Sequence, residues 1–88
     1  MNTLPQILDF AHAQSLRDMV MALLPTGALT LDASAVDRMS TPCVQLLLAT
    51  GRAAGSAATS FRITHASAAF RMAVADLGLE ADFSIWMD

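Results

Sequence analysis

The stretch Met39-Ser40-Thr41-Pro42-Cys43-Val44-Gln45-Leu46-Leu47-Leu48-Ala49 constrains the fold more than any other. A polar pair leads into a proline, and the proline leads into an almost continuous apolar run. Proline suits the first helical position, where its missing N–H would be unbonded anyway and its φ is already helical. The sequence therefore predicts a loop feeding a helix that starts at Pro42, with the Thr41 hydroxyl capping the first turn. A helix apolar nearly all round needs cover on more than one side. Only its polar entrance is then free to face solvent or a partner.

The flanking chain supplies the cover. Thr3 to Leu8 reads as a short strand with Leu4, Ile7 and Leu8 as its apolar members. Pro5 confines that strand to an edge or to its first residues. Asp9-Phe10-Ala11-His12 turns into a helix whose Leu16, Met19, Val20, Leu23 and Leu24 share one face. Pro25 and Gly27 stop it. Ala28-Leu29-Thr30-Leu31-Asp32 alternates in period two and reads as a strand. Ala33 to Arg38 forms a loop, with Val36 as a plug for the core. The central helix then runs from Pro42 to about Ala54, with Gly51 and Gly55 bracketing its end. Ser60 to Thr64 is a third strand, with Phe61 and Ile63 on one face. Ser67 caps a third helix carrying Phe70, Ala73, Val74 and Leu77 at helical spacing, and Gly78 follows its end. In the tail, the Phe83/Ile85 alternation reads as a last edge strand.

The order is β-α-β-α-β-α-(β). Connections this short imply crossovers, hence an α/β fold with a small, mostly parallel four-stranded sheet and helices packed on it. At 88 residues the expectation is one domain spanning 1–88. Composition agrees: 55% hydrophobic and 15% charged fits a layered domain, or apolar surface held for a partner.

Charge and composition exclude several classes. Net charge is −3, there is no lysine, and Arg17, Arg38, Arg52, Arg62 and Arg71 are scattered. Nucleic acid needs a concentrated basic stripe, so it is not an expected partner. No stretch approaches the roughly 20 apolar residues of a membrane span, so no membrane insertion is expected. The N-terminus lacks the charged and apolar regions of a signal peptide, so the expected location is cytoplasmic. The single Cys43 allows no intrachain disulfide and no chelating set of thiolates.

No catalytic constellation emerges either. His12 and His65 lie far apart, and no C-x-x-C, H-E-x-x-H or G-x-S-x-G motif is present. Cys43 falls near a helix start, but its apolar neighbours predict a buried, inert thiol. Asp9, Asp32 and Asp37 can gather at one end of the sheet, though capping and solvation account for them. Trp86 is either a partner anchor or a lid on the core. The expectation is a protein that is not an enzyme, with no cofactor and no metal.

The run Leu29 to Leu48 resembles the core of STAS domains, the fold of bacterial anti-sigma factor antagonists. That pattern is a strand ending in Asp, a short loop with a Val, then Asp-Ser/Thr-x-Gly opening a Leu-rich helix. Here Asp32 ends the strand, Val36 sits in the loop, and Ser40-Thr41-Pro42-Cys43 opens the helix. The resemblance extends back to Leu8-Asp9 with Ala13 and Leu16. It extends forward through Phe61-Arg62-Ile63, Ser67, Phe70 and Leu77-Gly78-Leu79. The extra N-terminal strand and the last helix of longer members have no counterpart in this reading. Members that work as phosphorylation switches carry Ser or Thr directly after the motif Asp. The resemblance thus implies Thr41 as the phosphorylation position, with Ser40 replacing the Asp and Cys43 the Gly. A switch so altered points to a constitutive docking surface.

Cys43-Val44-Gln45 before the leucines is similar to small STAS proteins encoded with chemotaxis genes in alphaproteobacteria. That likeness implies signal transduction by binding a chemotaxis histidine kinase. The expected partner-binding residues are Asp37, Arg38, Ser40, Thr41 and Gln45. Two alternatives share the fold. One is an anti-sigma factor antagonist, bound to its anti-sigma factor kinase and switched by phosphorylation at Thr41. The other is a STAS subunit of a lipid-transport ATPase complex. A sheet edge left open at the short termini would favour a homodimer.

Overall fold

Leucines alternating with polar residues build the sheet at the centre of the computed structural model, which describes residues 2–87. Strand β1 (Asn2–Thr3) and strand β2 (Ile7–Leu8) precede a 3-10 turn at Phe10–His12 and helix α1 (Ala13–Leu23). Strand β3 (Ala28–Asp32), strand β4 (Arg38–Met39) and helix α2 (Thr41–Ser56) follow. Strand β5 (Ser60–Thr64), helix α3 (Ala68–Asp76) and helix α4 (Glu80–Ser84) complete the chain. The main sheet has the order β1-β3-β5, all parallel, and β2 and β4 form a separate parallel pair. The parallel α/β architecture stands, but its strands divide three and two among the described residues rather than forming one four-stranded sheet.

Register explains which face is covered. Leu29 lies opposite Phe61 and Leu31 opposite Ile63, and all four are buried. Their alternate neighbours Thr30, Asp32, Arg62 and Thr64 are half-buried or exposed. The period-two pattern thus describes a sheet with one face in the core. Val36 plugs that core from the β3–β4 loop, fully buried as its position predicts.

Helix α2 shows a single buried stripe: Cys43, Val44, Leu47, Thr50, Gly51 and Ala54. Leu46 and Leu48 are half-buried, and Gln45 and Ala49 are exposed, so this helix is less enclosed than its apolar sequence suggests. It also runs past Ala54 to Ser56. Gly51 lies within it rather than at its end, and the Trp86 ring lies where a Cβ on Gly51 would be. Trp86 therefore closes the core.

Two expectations at the ends are corrected. The strand from Thr3 to Leu8 is two short strands in different sheets. Pro5 separates them: Leu4 N–H still donates to Asp32 O in the main sheet (2.8 Å), while Gln6 O accepts from Asp37 N–H (2.7 Å) in the other. Ile7 faces outward, 40% exposed. The tail is a helix rather than an edge strand. Leu79, Phe83 and Trp86, spaced by four and three, pack inward, and Ile85 is 75% exposed. After α4, Met87 makes one parallel bridge to Ile63.

Candidate functional site at the entrance of the central helix

The β2–β4 pair carries the chain into α2. Ile7 aligns with Arg38 and Leu8 with Met39. Leu8 and Met39 turn toward the core, so Ile7 and Arg38 share the outer side. Ser40 N–H donates to Leu8 O (2.8 Å), closing the ladder. The Ser40 carbonyl then accepts from Cys43 N–H and Val44 N–H, both at 3.1 Å, which begins the helix.

Ser40, not Thr41, occupies the cap position. Its backbone is extended, as a cap requires, but its side chain makes no capping bond. The Ser40 hydroxyl is buried without a hydrogen-bond partner, so it offers nothing to solvent. Thr41 is the first helical residue and Pro42 the second. Proline tolerates that shift because the second helical N–H is also unbonded within a helix. Thr41 and Gln45 are both exposed and lie one turn apart on one face.

Local bonds absorb the three aspartates. Asp9 caps the 3-10 turn, accepting from His12 N–H at 3.2 Å and lying 2.6 Å from His12 Nδ1. The hydrogen bond from the His12 side chain holds the Asp9 carboxyl below its ordinary pKa. Asp32 accepts from Ser34 N–H at 2.9 Å, and that bond lowers its pKa likewise. The Asp37 carboxylate accepts from Gln6 Nε2. Asp37 and Arg38 are both exposed. Cys43 is buried, and its thiol donates to Asp9 O at 3.4 Å. That contact ties the β2–α1 connection to the start of α2.

Sequence reasoning missed the apolar part of this surface. Phe10 follows Asp9 in the 3-10 turn that packs against α2, and it is 78% exposed. It lies off the α1 face formed by Leu16, Met19, Val20 and Leu23, which was the available signal. Beside it, Pro5, Leu8, His12, Ser15, Leu16 and Met19 line a groove of about 110 Å³. The structure thus sets Ile7 opposite Arg38, leaves Thr41 and Gln45 exposed at the start of α2 and Phe10 exposed in the turn that packs on that helix, and takes the Ser40 hydroxyl out. Among the described residues no group of three or more His, Cys, Asp or Glu is placed to hold a metal ion.

A family model described as Mlab, STAS domain matches residues 3–85. The chain belongs to the STAS-domain family. The match takes in both strand sets, all four helices and the α2 entrance, and it agrees with the parallel α/β architecture. No curated protein and no solved structure matches the chain. STAS membership makes this a regulatory fold of the anti-sigma antagonist type, one that works through protein–protein contacts. No helix among the described residues is long and apolar enough to cross a membrane.

Proposed function

We propose that this STAS domain is a non-enzymatic cytoplasmic regulator that docks on a chemotaxis histidine kinase through the entrance of α2. The exposure of Ile7 opposite Arg38, of Phe10 in the turn that packs on α2, and of Thr41 and Gln45 at the start of that helix carries the reading. Apolar side chains held in water next to polar anchors have the composition of an interface centre and its rim. The Cys43-Val44-Gln45 likeness supplies the kinase. Docking changes signalling only if affinity differs between kinase states. Asp37, held by Gln6, fixes the loop that presents Arg38.

A pull-down with the kinase tests it. Changing Phe10, Thr41 and Gln45 together to Ala is expected to reduce recovery about ten-fold or more, with the fold retained by circular dichroism. Full recovery of the kinase would sink this surface. Capture of the nucleotide-binding subunit of a lipid-transport ATPase instead would transfer the same surface to that complex. The exposure of Thr41 favours a second reading, an anti-sigma factor antagonist phosphorylated there. A phosphate on the first helical residue sits at the positive end of the helix dipole. Intact mass after incubation with the cognate kinase decides it, and no added phosphate ends that reading.

A further inference from the structure

We infer that the cleft between α3 and α4 binds a small zwitterion with an apolar body, of the class of the apolar amino acids. The cleft has a volume of about 440 Å³ and is lined by Arg71, Val74, Glu80, Ser84 and Met87. Small-molecule pockets span about 300–1,000 Å³, so it is large enough for such a ligand. Each helix brings its own chemistry. Arg71 and Val74 lie one turn apart on α3, and Glu80 and Ser84 one turn apart on α4. One wall thus offers a cation and the other a carboxylate beside a hydroxyl. Val74 is buried and Met87, just after α4, is half-buried, so the two give the cleft an apolar floor.

The bonds already made fix what each polar group has left to offer. Arg71 Nε donates to Ala66 O at 3.3 Å, and among the described residues its terminal nitrogens have no partner, so they remain donors. Ser84 Oγ gives its proton to Ala81 O at 2.7 Å, so toward a ligand it can only accept. Glu80 is likewise an acceptor, and it makes no ion pair among the described residues. Arg71 and Glu80 therefore line one cleft without neutralising each other. A purely anionic ligand would meet Glu80, and a purely cationic one Arg71. A zwitterion satisfies both walls: its carboxylate takes the guanidinium and its ammonium takes Glu80 and Ser84. Its apolar side chain is then left for Val74 and Met87. Arg71, Glu80 and Ser84 are exposed, and exposed charge pairs contribute little, so the site is a weak one.

The test titrates the isotope-labelled full chain with L-leucine at constant ionic strength and follows backbone amide shifts. The shifts are expected to centre on residues 70–87 with a Kd on the order of 1 mM. Two reference ligands each lack one charge: 4-methylpentanoate has no ammonium, and 3-methylbutylamine has no carboxylate. Each should bind about five-fold more weakly than leucine. Arg71→Met should weaken leucine about five-fold and leave 3-methylbutylamine unchanged. Glu80→Gln should weaken leucine by a similar factor and leave 4-methylpentanoate unchanged. Asp82→Asn, on α4 but outside the cleft lining, should change none of the three. The proposal fails if leucine shifts no amide between residues 70 and 87 at about 50 mM. It fails equally if both reference ligands bind as tightly as leucine, since the cleft then takes any apolar body. A variant that weakens all three ligands alike also overturns it, because the loss is then one of structure and not of a charge partner.

Discussion

Two serines hold equivalent positions before α2 and α3, and their surroundings set opposite values on them. Ser67 accepts from Phe70 N–H at 3.1 Å and donates to Val36 O at 2.6 Å. It caps α3 and pins the core plug in one side chain. Ser40 makes neither kind of bond, and its hydroxyl is buried. A buried hydroxyl without a partner carries a desolvation cost of about 1–3 kcal/mol. Loss of a cap bond costs about 1 kcal/mol, and loss of the second bond adds to it. Ser67→Ala is therefore expected to destabilise the domain by about 1–2 kcal/mol, and Ser40→Ala to leave it unchanged or raise stability by up to about 1 kcal/mol. Urea melts of the two variants check the signs. A loss at Ser40 as large as that at Ser67 would show that the Ser40 hydroxyl has a partner, such as a bound water.

At the level of elements, α2 depends on a residue that usually weakens helices. Gly51 lies in the buried stripe, and the Trp86 ring occupies the space a larger residue would need. Gly51→Ala gains helix propensity of about 1 kcal/mol. It also forces the indole out, an overpacking cost of about 1–3 kcal/mol with loss of ring burial in addition. The net expectation is destabilisation by about 1–2 kcal/mol with a red shift of Trp86 fluorescence. Unchanged emission together with higher stability would refute the lock. This pairing also shows where sequence reading stops. Strands β3 and β5 and helices α1 and α3 were legible because their periods, two and 3.6, record burial directly. The tail was not. Phe83/Ile85 at spacing two competes with Leu79/Phe83/Trp86 at spacing four and three, and so short a segment cannot separate them. A glycine some 30 residues earlier in the chain leaves the room that the Trp86 indole takes, and no local pattern in the tail records it. The split of the first strand was equally hidden, since a two-residue strand has no period. The candidate site was legible where it is contiguous, from Asp37 to Gln45. Ile7 and Phe10 were not, because tertiary neighbours decide whether an apolar side chain is covered.

On the scale of the whole molecule, α2 joins the candidate site to the tail: its first turn opens the one, and its Gly51 receives the Trp86 ring of the other. A chain of edge-to-face aromatic contacts fastens that tail. Phe70 meets Phe83 at 6.3 Å, Phe83 meets Trp86 at 5.2 Å, and Trp86 meets Phe61 of β5 at 5.4 Å. Beyond it, Ile63 N–H donates to Trp86 O at 2.8 Å. These residues belong to the same buried cluster as Leu4, Val20 and Val44. The Cα radius of gyration, 11.6 Å, is close to the roughly 12 Å of a compact chain this long. A tail joined to the common core should not open alone. Trp86 emission, which reports the tail, and far-ultraviolet circular dichroism, which reports helices and sheet, are expected to give superimposable urea transitions. For a chain of this size total stability is about 4–13 kcal/mol. Phe83→Ala should remove about 3–5 kcal/mol of it and move both transitions together to lower urea. If emission changed well before circular dichroism, the tail would be a separate, weakly held unit. Coincident curves mean that α4 unfolds, through its contact of Trp86 with Gly51, in one step with the helix that carries the candidate site.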